Sequence, residues 1–137
     1  MAIRISPYGV FNGTGAFDGV EEQYLDLTRK LSALGTAYLH LVDHSAMGAP
    51  PVPADVKQRL RDPFARTFIA VGGLEGPSAE EVLQHKQADL TAFARPFLAN
   101  PDLVARMKAG AELNAPDMAT FYTPGAKGYT DYSAMAG

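Results

Sequence analysis

Four short apolar runs, separated by segments with helical spacing, constrain this chain more than any other feature. They span Ile3 to Ser6, Ala37 to Val42, Thr67 to Gly72 and Leu90 to Ala94, and each ends in turn or loop residues, as buried parallel strands do. After the first run, Val20, Tyr24, Leu27, Leu31 and Leu34 recur at helical spacing, and Gly35 stands where a glycine ends a helix. A second helix is expected around Asp55 to Leu60, just before Pro63. A third is expected at Ser78, whose spacing to Glu81 is that of a capping box, running through Val82 and Leu83 towards His85. The fourth should be capped by Asn100, take Pro101 as its first residue and stop at Gly110.

Strands alternating with helices imply a parallel sheet, because each right-handed crossover returns the chain to the same end. That grammar serves an open α/β sheet and a βα barrel alike. A full barrel needs roughly 200 to 250 residues, and 137 are present. The expectation is therefore one partial domain over residues 1–137, with four βα units and an aromatic, glycine-containing tail over 111–137. With 47% hydrophobic and 20% charged residues, disorder and a membrane span are both disfavoured. A net charge of −3, with no dense run of Lys or Arg, argues against nucleic acid and for a small-molecule partner. The absence of cysteine removes disulfides, thiolate nucleophiles and Cys-ligated metals, and is compatible with a reducing cytoplasm. The first residues, Met1 to Ser6, read as the start of a strand rather than a signal peptide.

Chemistry concentrates at the strand ends. Phe68-Ile69-Ala70-Val71 runs into Gly72-Gly73, where two backbone N–H groups could meet a phosphate without an intervening Cβ. Leu90-Thr91-Ala92-Phe93 leads into Ala94-Arg95, which adds a guanidinium at the corresponding end of the next strand. In βα barrels the loops after the last two strands often hold a phosphate. A surface ion pair is the alternative for Arg95. Arg4, between Ile3 and Ile5, points to the opposite face from both and needs a partner, either a ligand oxygen or a structural carboxylate.

Asp43-His44-Ser45 is not expected to act as a catalytic triad, because three consecutive residues cannot converge as nucleophile, base and orienting acid must. His40 and His44 are expected to be hydrogen-bonded structural residues rather than metal ligands. Thr120-Phe121-Tyr122 and Gly128-Tyr129-Thr130-Asp131-Tyr132 could cap the domain with buried rings or lay an aromatic against a flat ligand.

Taken together, Ile3-Arg4-Ile5-Ser6-Pro7, Ala37 to Val42, Ala70 to Gly73, Phe93 to Leu103 and Thr120 to Tyr122 resemble the Old Yellow Enzyme family. The run from Arg95 to Leu103 is the most specific part, and the segment from Gly128 to Tyr132 adds to it. The resemblance implies the C-terminal half, strands five to eight, of a flavin-binding TIM (β/α)8 barrel. It implies an FMN-dependent oxidoreductase that takes hydride from NAD(P)H and reduces activated alkenes.

By that resemblance Arg4 would meet the pyrimidine edge of the flavin, Gly72, Gly73, Ala94 and Arg95 would hold the FMN phosphate, and Phe121 and Tyr122 would lie near the ring and the substrate. Ala94 departs from the glycine usual in the family, and its Cβ would crowd the phosphate if the local φ were positive. The family's substrate-activating pair and tyrosine proton donor have no counterpart here, so no catalytic residue is assigned. The expected protein is the phosphate-holding part of an ene-reductase, inactive alone, completed by an N-terminal half barrel or by self-association. A non-catalytic phosphate-ligand or interaction module is the alternative, and an isomerase or aldolase barrel a more distant one.

Overall fold

A computed structural model describes residues 1–135 and divides the chain into two compact units, Met1–Ala92 and Phe93 onward. Ala136 and Gly137, the end of the expected tail, lie outside the described residues.

In the first unit the apolar runs become β1 (Ile3–Ile5), β2 (Tyr38–Val42), β3 (Thr67–Val71) and β4 (Leu90–Ala92). All pair in parallel in the order β1-β2-β3-β4. The helices between them are α1 (Val20–Ala33), α2 (Ala54–Arg61) and α3 (Gly76–Gln84). Gly35 ends α1 at φ +69°, with Thr36 N–H donating back to the Leu31 carbonyl at 3.1 Å, as its position in the sequence predicts. Capping of α3 differs from expectation. The cap is Glu75, and Ser78 sits in the first turn, where its hydroxyl accepts from Glu75 N–H at 2.9 Å.

Alternation along the strands sorts side chains onto two faces. Ile5, Leu39, Leu41 and Phe68 are buried on one face together with Leu31 of α1 and Val56 and Leu60 of α2, and Val82 of α3 packs against the same cluster. Phe64, Phe68, Leu39 and Leu60 are at most 1% exposed, and each such side chain contributes about 1.5 to 3 kcal/mol by leaving water. The helices of this unit therefore back a single face. A doubly wound sheet reverses its strand order at a switch point and carries helices on both faces, and this sheet does neither. The other face carries a cross-strand row in register, Arg4 beside His40, His40 beside Ile69, and Ile69 beside Leu90.

The N-terminal ends of the strands are closed by Asp89, whose carboxylate accepts from Phe68 N–H at 2.7 Å and from the Arg61 guanidinium at 2.8 Å. Arg61 also lies 6.0 Å from the centre of the Phe68 ring.

The second unit contains α4 (Arg95–Ala99) and α5 (Leu103–Ala109). The sequence predicts one helix from Asn100, and the structure has two. Asn100 does not cap, because its fully buried amide is already committed: it donates to Pro96 O and Asn114 O and accepts from Asn114 N–H at 2.7 Å. Helix α5 starts after Asp102 and stops, as predicted, at Gly110 with φ +62°. No helix among the described residues is long and apolar enough to cross a membrane.

Candidate functional site

In the first unit the C-terminal ends of β2 and β3 are locked together. Asp43 N–H donates to Val71 O at 2.8 Å. Gly72 follows with φ +131°, and a Cβ there would overlap the Asp43 carbonyl oxygen and come within 2.8 Å of its carbon. Glycine is thus required at 72 by the neighbouring strand. Gly73, at φ +61°, is also left-handed, with Ala46 Cβ 3.2 Å from where its own Cβ would be.

Asp43 is 6% exposed, and the turn around it is organised by its two carboxylate oxygens. Oδ1 accepts from Ser45 N–H at 2.9 Å, while Oδ2 accepts from Val52 N–H at 3.3 Å and pairs with Lys57 Nζ at 2.7 Å. Burial alone would raise the carboxyl pKa, but the Lys57 and Ser45 contacts outweigh it and hold the group below its ordinary value. This pairing disposes of a triad, since Asp43 bonds to the Ser45 backbone and to Lys57, not to His44. A pocket of about 130 Å³ lies beside the pair, lined by Leu41, Lys57, Phe68, Gly72 and Gln87 among others.

Arg4 is exposed on the sheet face opposite the helices, and among the described residues no carboxylate lies within ion-pairing distance of it. His40 stands next to it. Burial, then the Arg4 charge, lowers the His40 pKa, so the ring is neutral at pH 7. The expectation that His40 and His44 are hydrogen-bonded is corrected here: His40 Nε2 and His44 Nδ1 are buried without a partner among the described residues. His44 instead meets the edge of Phe11, with ring centres 5.1 Å apart. Tyr8 donates to Glu21 at 2.8 Å, and burial together with that carboxylate pushes its phenol up to about 12.

In the second unit Ala94 immediately precedes α4 and Arg95 opens it. Ala94 has φ −99°, so its Cβ is unstrained, and the departure from glycine costs nothing in backbone conformation. Arg95 is half-buried and has no carboxylate within ion-pairing distance among the described residues. Within the first unit, Val71, which precedes the glycine pair, is in register with Ala92, the last residue of β4.

The segment after Gly110 does not cap the fold with buried rings. Tyr122 is 96% exposed and makes an edge contact with Phe121, with centres 6.5 Å apart. Polar bonds pin the segment instead. Arg106, 7% exposed, donates to Asp102 at 2.7 Å, to Glu112 O at 2.6 Å and to Ser133 O at 2.9 Å. Asp102 also accepts from Met135 N–H at 2.7 Å, and that bond, followed by Arg106, lowers its pKa. Sequence reasoning misses Arg106 and Asn114, because most of their partners are backbone carbonyls that no spacing rule reveals.

A family model described as the NADH:flavin oxidoreductase / NADH oxidase family matches residues 1–114. Chanoclavine-I aldehyde reductase fgaOx3 of Penicillium roqueforti is 38% identical over 144 residues, a match covering 98% of this chain and 38% of that protein. 12-Oxophytodienoate reductase 2 of Arabidopsis thaliana is 32% identical, covering 98% and 37% respectively. Morphinone reductase, solved in complex with tetrahydroNAD, superposes with a TM-score of 0.87 at 35% identity, over 98% of this chain and 36% of that one. The chain thus spans little more than a third of the length of these proteins.

Proposed function

This chain belongs to the NADH:flavin oxidoreductase / NADH oxidase family, and on that premise we propose that it supplies the FMN-phosphate half, strands five to eight, of a reductase barrel. The observation that carries the reading is the singly wound parallel sheet, with helices of its unit on one face, Arg4 on the other and the glycine pair at a C-terminal strand end. In βα barrels that end is where phosphates are held.

Residue by residue, the backbone N–H groups of Gly72, Gly73 and Ala94 and the Arg95 guanidinium hold the phosphate. Arg4, exposed and without a carboxylate partner among the described residues, places its positive charge at the pyrimidine edge of the flavin. Phe121 and the exposed Tyr122 offer aromatic surface to the ring and the substrate. When bound, FMN supplies hydride transfer from NAD(P)H to an activated alkene such as an enone. No side chain of this segment is assigned as the proton donor, so catalysis requires a complementary N-terminal half barrel, contiguous or separate, or a second copy. The cysteine-free composition fits a cytoplasmic setting.

Arg95→Ala tests the phosphate assignment. Losing a charge-assisted hydrogen bond worth roughly 1.5 to 3 kcal/mol should weaken FMN about 10- to 150-fold in a flavin fluorescence titration, with the urea midpoint unchanged. A parallel loss of folding and binding would make Arg95 a structural residue.

A further inference from the structure

We infer that the Asp43–Lys57 pair is a positioning device for the Gly72-Gly73 turn, one that sets how well the turn discriminates a phosphate. The link to phosphate rests on the flavin reading above; the clamp itself rests on geometry alone. Two contacts transmit it. The Asp43 N–H continues the β2–β3 ladder onto Val71 O, and the Asp43 carbonyl occupies the space that a side chain at 72 would fill. Any shift of the Asp43 main chain therefore moves the residues on either side of the turn's first peptide. The Asp43 carboxylate is fixed from three directions, by the Ser45 and Val52 N–H groups and by Lys57 on α2. Lys57 is the only one of these partners that a substitution removes without disturbing the loop backbone. Without it a buried carboxylate loses its counter-charge, and relief comes from moving Asp43 towards water or a proton. Either response loosens the surface against which Gly72 is packed.

Lys57→Met is the direct test, with Lys57→Arg as the conservative rescue. Asp43→Asn is a second route to the same loss, because it keeps an acceptor for Ser45 N–H while removing the charge. In the native chain the ¹⁵N order parameters of Gly72 and Gly73 should lie near the rigid value of about 0.85. In Lys57→Met and Asp43→Asn they should fall below about 0.6, with the central amides of β2 and β3 unchanged and Lys57→Arg restored. With the complementary half present, FMN affinity should drop about tenfold while riboflavin affinity stays within about twofold. Unchanged order parameters at both glycines would overturn the clamp. Equal losses for FMN and riboflavin would overturn its role in phosphate discrimination. A native protein that does not distinguish FMN from riboflavin would count against the flavin reading of the turn, and the order parameters would still decide the clamp.

Discussion

Gly72→Ala is expected to destabilise the first unit by roughly 3 kcal/mol or more, enough to populate unfolded chain in dilute urea. Two costs add. The backbone at 72 sits at φ +131°, a conformation that side-chain-bearing residues rarely adopt, and the new Cβ would collide with the Asp43 carbonyl. Neither can relax cheaply, because Asp43 is tied to Val71 through its N–H and to Lys57, Ser45 and Val52 through its carboxylate. Gly73→Ala is the control: its φ is +61° and its nearest neighbour is only the Ala46 methyl, at 3.2 Å, so a loss of about 1 kcal/mol is expected there. Urea denaturation of both variants checks the difference. Equal midpoints would mean that the strand-to-strand contact at Asp43 does not constrain the turn.

Arg106→Ala should cost about 3 kcal/mol and release the segment beyond Gly110. The guanidinium is nearly buried and bonds to the carbonyls of Glu112 and Ser133, which alanine leaves without that donor. Asn114 reaches the same Ser133 carbonyl at 2.8 Å, so the loss is large without being total. Limited proteolysis reads it directly: cleavage between residues 111 and 135 should accelerate strongly, while β1 to β4 stay protected. An unchanged cleavage pattern would show that Asn100 and Asn114 hold the segment without Arg106.

The β strands were legible because each is a short apolar run broken by turn chemistry, and α1 because Val20, Tyr24, Leu27 and Leu31 recur at helical spacing before Gly35, although Leu34, the last of that series, is left exposed. What escaped was decided by partners distant in sequence. Asn100 looks like a cap because Pro101 follows it as a suitable first helical residue, yet its amide is drawn into bonds with Asn114, fourteen residues on. Helix α4 is only five residues long and has Pro96 in its first turn, too little for periodicity to register. Glu75 displaces Ser78 as the cap of α3 because Ser78 serves inside the first turn. At the candidate site, the glycine pair was visible, but its Asp43 constraint was not. The reason is a close backbone approach between adjacent strands, to which side-chain patterns are blind. Arg4 was visible as a charge on the wrong face of an apolar strand, and the cross-strand register shows that it lies beside His40.

The sequential order of the four strands carries most of the weight in the functional account. An open doubly wound sheet would have put helices on both faces and a switch point between strands, which would place any ligand elsewhere. With α1, α2 and α3 on one face, the proposed half-barrel reading assigns the other face and the C-terminal strand ends to the flavin and to the strands that would complete the barrel.

The most direct test of the proposed half-site is flavin retention and turnover by the purified chain, alone and mixed with a candidate N-terminal half barrel. FMN absorbance and NAD(P)H oxidation with an activated enone would be recorded in both preparations. FMN is expected to bind without turnover in the single chain, with turnover only when the halves are combined. Flavin retained in neither preparation would contradict the half-site and favour a non-catalytic interaction module.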